Sequence, residues 1–187
     1  MVDGSGLQGD ELTEALLDRA DLESPSQGEG YTRALDDYPR ALALSPRSVN
    51  AYWRRGKAYL LYKRDLAAAR KDLDVAIRLD PSQAELYVTR ASILAWLGEP
   101  DAALVDLNQA LAHKPHSVHA LTNRGLAYFN TGDISRALAD FDAALALSPD
   151  DAGIYSFRAA ARRKAGDETG AKADEAKMAK LMFGTLQ

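Results

Sequence analysis

Three imidazoles stand within seven residues, in the stretch HKPHSVH that holds His113, His116 and His119. Nitrogen ligands this close in sequence could bind zinc or copper. The stretch, however, joins a helix end, a loop and the start of the next helix, all ordinarily solvated. It has no close cysteine or carboxylate partner. The expected reading is therefore loop residues, with no metal and no cofactor. The chain has no cysteine, which excludes thiolate catalysis, disulfides and cysteine-ligated zinc. The GSG near the start precedes no strand, and G-x-x-x-x-G-K-[ST], G-x-S-x-G and H-E-x-x-H are absent. No catalytic residue is assigned, and the chain is read as a non-enzyme.

Other charged residues recur more regularly. Arg55, Arg90, Arg124 and Arg158 are followed by Asp72, Asp106, Asp140 and Asp174 at separations of 17, 16, 16 and 16. A guanidinium and a carboxylate repeated in this way suit a structural ion pair between two elements. A ladder of sites for a charged ligand is the alternative.

The elements that place these pairs follow from the prolines. Pro46, Pro81, Pro115 and Pro149 lie 35, 34 and 34 residues apart, a period that means stacked supersecondary units. Within each interval a helical pattern is followed by a turn, such as LGEPD, TGDIS or AGDET, and then by a second helical pattern. Gly98, Gly132 and Gly166 are expected to end helices in the left-handed conformation. Asp101, Asp133 and Asp167 are placed to cap the next helix or favour its dipole. The separation of 17 reflects one extra residue around positions 62–64, in a unit without a turn glycine. Pro39 falls inside a helical pattern, 31–44, where a kink or a late start is expected.

The small and aromatic residues carry a resemblance. In residues 118–151 they are Gly125, Tyr128, Gly132, Asp133, Ala137, Phe141, Ala144 and Pro149. In 84–117 they are Ala91, Leu94, Gly98, Ala103, Leu107, Ala110 and Pro115; in 49–83, Gly56, Tyr59, Ala69, Leu73, Ala76 and Pro81. This pattern resembles the tetratricopeptide repeat. The implied fold is all-α, a right-handed superhelical α-solenoid of antiparallel helix pairs. Three clear repeats (49–83, 84–117 and 118–151) would be flanked by irregular N-terminal helices over 10–48 and a degenerate repeat with a capping helix over 152–187. Residues 1–9 would form a flexible tail. In the last unit Arg162 and Glu175 stand where aromatic or apolar residues belong, and Ala171, Met178, Leu181 and Met182 supply an inward stripe.

The resemblance also implies a concave groove lined by the first helix of each pair. Its positions fall on Trp53, Arg54, Lys57, Thr89, Ser92, Trp96, Asn123, Leu126, Phe129, Asn130, Phe157, Arg163 and Lys164. Those rings and cations suit a protein or peptide partner with apolar anchors and some acidic character. The alternative is that the rings pack between repeats. The family's carboxylate clamp for chaperone C-termini is absent, with Trp53, Lys57, Thr89, His119 and Asn123 in its place. The net charge of −4 argues against nucleic acid, and no apolar run is long enough for membrane insertion.

Residues 1–46 carry a balance of −7 and residues 47–187 one of +3. This asymmetry raises two further expectations. The acidic N-terminal helix could occupy the groove, or the terminal helices could drive homo-oligomerisation. A cytoplasmic setting is expected, with an exported form lacking a removed leader as the alternative.

Overall fold

The computed structural model describes residues 9–22, 29–63 and 65–184. Among them helix is the sole regular structure. The elements are α1 (Gly9–Leu22), α2 (Glu29–Leu44), α3 (Val49–Ala58) with a π-helical turn (Tyr59–Lys63), α4 (Leu66–Leu79) and α5 (Ala84–Trp96). They continue as α6 (Pro100–His113), α7 (Val118–Thr131), α8 (Ile134–Leu147), α9 (Ala152–Lys164) and α10 (Glu168–Phe183). The chain forms two compact units, residues 1–89 and 90–187. Apart from Gly9, which opens α1, the expected N-terminal tail lies outside the described residues.

In the first unit, α1 and α2 pair as an antiparallel hairpin. Leu16, Leu17 and Ala20 of α1 are buried with Tyr38, Ala41 and Leu42 of α2 and with Ala51 and Ala58 of α3. Each buried leucine contributes about 1.5–3 kcal/mol. This packing corrects the expected late start at Pro39, because α2 runs from Glu29 to Leu44 with Pro39 inside it. Tyr38 and Ala41 are buried on either side of the proline, and their packing offsets the lost backbone hydrogen bond. α1 is thus the first helix of a hairpin.

The extra residue in the next hairpin coincides with the π-helical turn at Tyr59–Lys63, a geometry that fits one more residue into a turn. Asp65 then caps α4, accepting from the Ala68 N–H at 3.0 Å. Gly56 lies against Leu73 so closely that any side chain there would collide with it.

In the second unit α7 pairs with α8, and α9 with α10. Gly98, Gly132 and Gly166 have φ of 78°, 88° and 84°, the left-handed region that a Cβ disfavours. Asp133 and Asp167 cap α8 and α10 with their side chains. Asp101 instead lies within the first turn of α6, whose N-cap residue, Glu99, makes no side-chain cap bond. Phe141, wholly buried, centres a core with Leu121, Tyr128, Leu145 and Ile154. A Cβ on Gly125 would come within 2.6 Å of the Phe141 ring, so a glycine is needed for this close approach.

The inward stripe expected of α10 is corrected at its end. Ala171 is buried and Met178 and Leu181 are half-buried, but Met182 is 60% exposed. The last turn of α10 also leaves Phe183 70% exposed.

The turns before three helices share a tie that the sequence reading did not anticipate. The hydroxyls of Tyr52, Tyr87 and Tyr155 donate to the carbonyls of Pro46, Pro81 and Pro149 at 3.4, 3.0 and 3.0 Å. Each tyrosine stands six residues after its proline, a signal that was present in the sequence.

Candidate functional site

The recurring arginines and aspartates meet within each hairpin. Arg55 donates Nε and Nη2 to the two carboxylate oxygens of Asp72, both at 2.7 Å. Arg90 pairs with Asp106 at 2.8 and 2.7 Å, Arg124 with Asp140 at 2.8 Å twice, and Arg158 with Asp174 at 2.9 and 2.6 Å. All four aspartates are buried, and planar two-point pairing is the strongest geometry available to them. Hydrogen bonding to these carboxylates raises the pKa of Arg55, Arg124 and Arg158 against the opposing effect of burial.

Two of the arginines also reach back one hairpin. Arg124 Nη1 donates to Asn108 at 2.9 Å, and Arg158 Nη1 to Asp142 at 2.7 Å. A fifth pair was missed from sequence: Arg19 donates to both oxygens of Asp37 at 2.7 and 2.6 Å. The signal for it was present, since Asp37, Asp72, Asp106 and Asp140 each stand nine residues before their proline.

The three histidines are exposed, and the His119 carbonyl accepts from Asn123 Nδ2 at 2.8 Å. Among the described residues no three His, Asp or Glu side chains are arranged to hold a metal.

The residues of the first unit expected to line a groove are largely engaged with their neighbours. Trp53 Nε1 donates to Thr89 Oγ1 at 3.0 Å, and Lys57 Nζ lies 4.9 Å from the Trp53 ring centroid, a cation–π contact. Arg54 pairs with Asp18 at 2.9 Å and with Glu14 at 3.9 Å, so carboxylates of α1 already face this cation.

In the second unit, Arg163 pairs with Glu175 at 2.6 Å and with Glu168 at 3.7 Å. Lys164 Nζ sits 4.9 Å over Phe129, and Phe157 stacks on Phe141 with ring centroids 6.2 Å apart. Phe129 packs against the Phe141 core, while Phe157 keeps 37% exposure.

The remaining residues of that expected set gather elsewhere in the same unit. Ser92, Trp96, Asn123, Leu126 and Asn130 line a pocket of about 440 Å³, together with Ala91, Ala95, Ala103, Leu107 and Ala127. Four alanines make its walls low. Buried Ala91, Ala103 and Leu107 form its floor, and Trp96 is 66% exposed at its edge. Its side-chain polar groups are the Ser92 hydroxyl, the Trp96 indole N–H and two amides, with no charged residue in the lining.

Hairpins of this length, joined by prolines and built around alternating small and aromatic residues, match known sequences. Tetratricopeptide repeat profiles match residues 26–84, 57–122 and 118–151. The chain belongs to the tetratricopeptide repeat (TPR) family. No curated protein sequence matches it. Solved TPR-like structures resemble it in fold. PilW, a widely conserved type IV pilus biogenesis factor, is 22% identical with a TM-score of 0.85, over 95% of this chain and 80% of PilW. YrrB, a TPR protein with an unusual peptide-binding site, is 22% identical with a TM-score of 0.69, over 94% of each chain. MamA from Desulfovibrio magneticus RS-1, residues 41 to the end, is 16% identical with a TM-score of 0.81, over 97% of this chain and 99% of that one. At these identities the likeness is one of fold. No helix among the described residues is long and apolar enough to cross a membrane.

Proposed function

We propose that this TPR chain is a non-catalytic interaction module that binds a peptide or an extended segment of a partner protein. The observation that carries the reading is the uncharged pocket of the second unit with the exposed Trp96 indole at its rim. A large apolar side chain left in water beside a concave, alanine-walled site is the surface expected of an anchor pocket. The peptide-binding site of YrrB gives the same fold a precedent for this kind of partner. The acidic character first expected of the partner is dropped, because Arg54 and Arg163 are in ion pairs and Lys57 and Lys164 cover aromatic rings.

The test is selection from a random peptide display library on the whole chain, followed by affinity measurement. Trp96→Ala, at an exposed position, should weaken the selected peptides by about tenfold or more. Equal affinity for the variant and the wild type would contradict the reading.

A second reading, self-assembly, rests on the exposed Met182 and Phe183. Sedimentation decides it: an oligomer that dissociates on Met182→Ser with Phe183→Ser supports it, and a monomeric wild type removes it.

A further inference from the structure

The pocket has a filled counterpart one repeat later. Ala95, Leu107 and Asn123 stand 34 residues before Phe129, Phe141 and Phe157. In the later layer Phe157 stacks on Phe141, Phe129 packs on the same core, and Lys164 covers the Phe129 ring. In the earlier layer the equivalent side chains are a methyl, an isobutyl and an amide, and the space they leave is the pocket of about 440 Å³. The backbone carries the same hairpin in both layers, so the pocket is a site shaped for rings that the chain itself does not supply there.

We infer that this pocket receives an aromatic, phenylalanine-like side chain of the bound peptide, in the place that the later layer fills with its own rings. The inference rests on the peptide-binding reading above and names the anchor. An apolar cavity of about 150 Å³ is enough to hold benzene, so the space available suffices. The walls give the ring methyl contacts from Ala91, Ala95 and Ala127, and the Trp96 indole offers a second aromatic surface at the rim. The uncharged lining matches a neutral side chain and disfavours a carboxylate, which would lose its hydration without gaining a cationic partner. Asn123 already gives Nδ2 to the His119 carbonyl, leaving its Oδ1 and the exposed Asn130 amide to meet the peptide backbone flanking the ring.

The test uses the full chain with ¹³C-labelled alanine and leucine methyls, titrated separately with the N-acetyl methylamides of phenylalanine, leucine and glutamate. The phenylalanine probe should shift the methyls of Ala91, Ala95, Leu107 and Leu126. It should bind about threefold to tenfold more tightly than the leucine probe, and the glutamate probe should leave those methyls unmoved. Ala95→Phe with Asn123→Phe, which supplies two of the later layer's three rings, should abolish the shifts. If that pair fails to fold, Asn123→Phe alone should weaken the probe while leaving the melting transition intact.

Equal affinity for leucine and phenylalanine, shifts that survive filling, or unmoved pocket methyls would each overturn the inference. Display peptides that map to the pocket without an aromatic anchor would overturn it too, yet leave the interaction reading standing. A phenylalanine probe seated in the pocket, with no peptide selected, would support the ring preference and overturn the peptide reading instead.

Discussion

Two neighbouring layers of the second unit use one hairpin plan and finish it differently. In the layer built from α7, α8 and α9, Gly125 yields to Phe141, and the Phe129 and Phe157 rings close the space above it. In the layer built from α5, α6 and α7, Ala91 faces the smaller Leu107, and the equivalent space stays open beside Trp96. The backbone repeat is therefore indifferent to whether the space is filled. On the proposed reading, the ring-filled layer contributes more to stability and the open layer is the one that binds.

The largest effect expected from this contrast is at Phe141. Phe141→Ala should cost about 3–5 kcal/mol of unfolding free energy. Leu107→Ala, at a position just as buried, should cost less, within about 2–5 kcal/mol, because it removes fewer carbon atoms than loss of the phenylalanine ring. Urea denaturation of the two variants measures the difference, and equal losses would mean that the layers are packed alike.

The ion pairs should not respect the contrast. Asp140→Asn and Asp106→Asn each remove the charged partner of a two-point arginine, and each should cost about 2–3 kcal/mol. A loss at Asp140 alone would show that the ladder matters only where the core is filled.

The glycines sharpen the comparison further. Gly125→Ala drives a methyl into the Phe141 ring and should cost about 1–3 kcal/mol. Ala91→Gly in the open layer relieves no crowding, and its cost should be about 0.5–1 kcal/mol of helix propensity.

The smallest effect lies at the helix starts. Asp133 caps α8, and its carboxyl is held below its ordinary pKa by the Arg136 backbone N–H and then by the Arg136 side chain. A depressed pKa contributes stability above about pH 4 that is lost as the pH falls through the folded value. Glu99, at the start of α6, makes no such bond. Thermal melting at about pH 3 should therefore separate Asp133→Ala from wild type less than melting at neutral pH does.

Much of the architecture was legible because it repeats. The proline period marks the hairpins, the turn glycines need φ above zero, and a separation of 17 instead of 16 coincides with a π-helical turn. The Arg19–Asp37 pair escaped notice because a longer connection raises its separation to 18 and Pro39 disguises α2. The fate of the cations was not legible. Whether Arg163 faces solvent or Glu175 depends on how α9 lies against α10, which residue type alone does not state. The pocket was hidden for a different reason: it is defined by what Ala95, Leu107 and Asn123 lack, and only alignment with Phe129, Phe141 and Phe157 reveals the deficit.

The most direct measurement is a crystal structure of the whole chain with its tightest display-selected peptide. The account predicts a peptide side chain seated between Ala95, Leu107 and Asn123 with its ring beside Trp96. A peptide bound elsewhere on the chain, with that space empty, would contradict it.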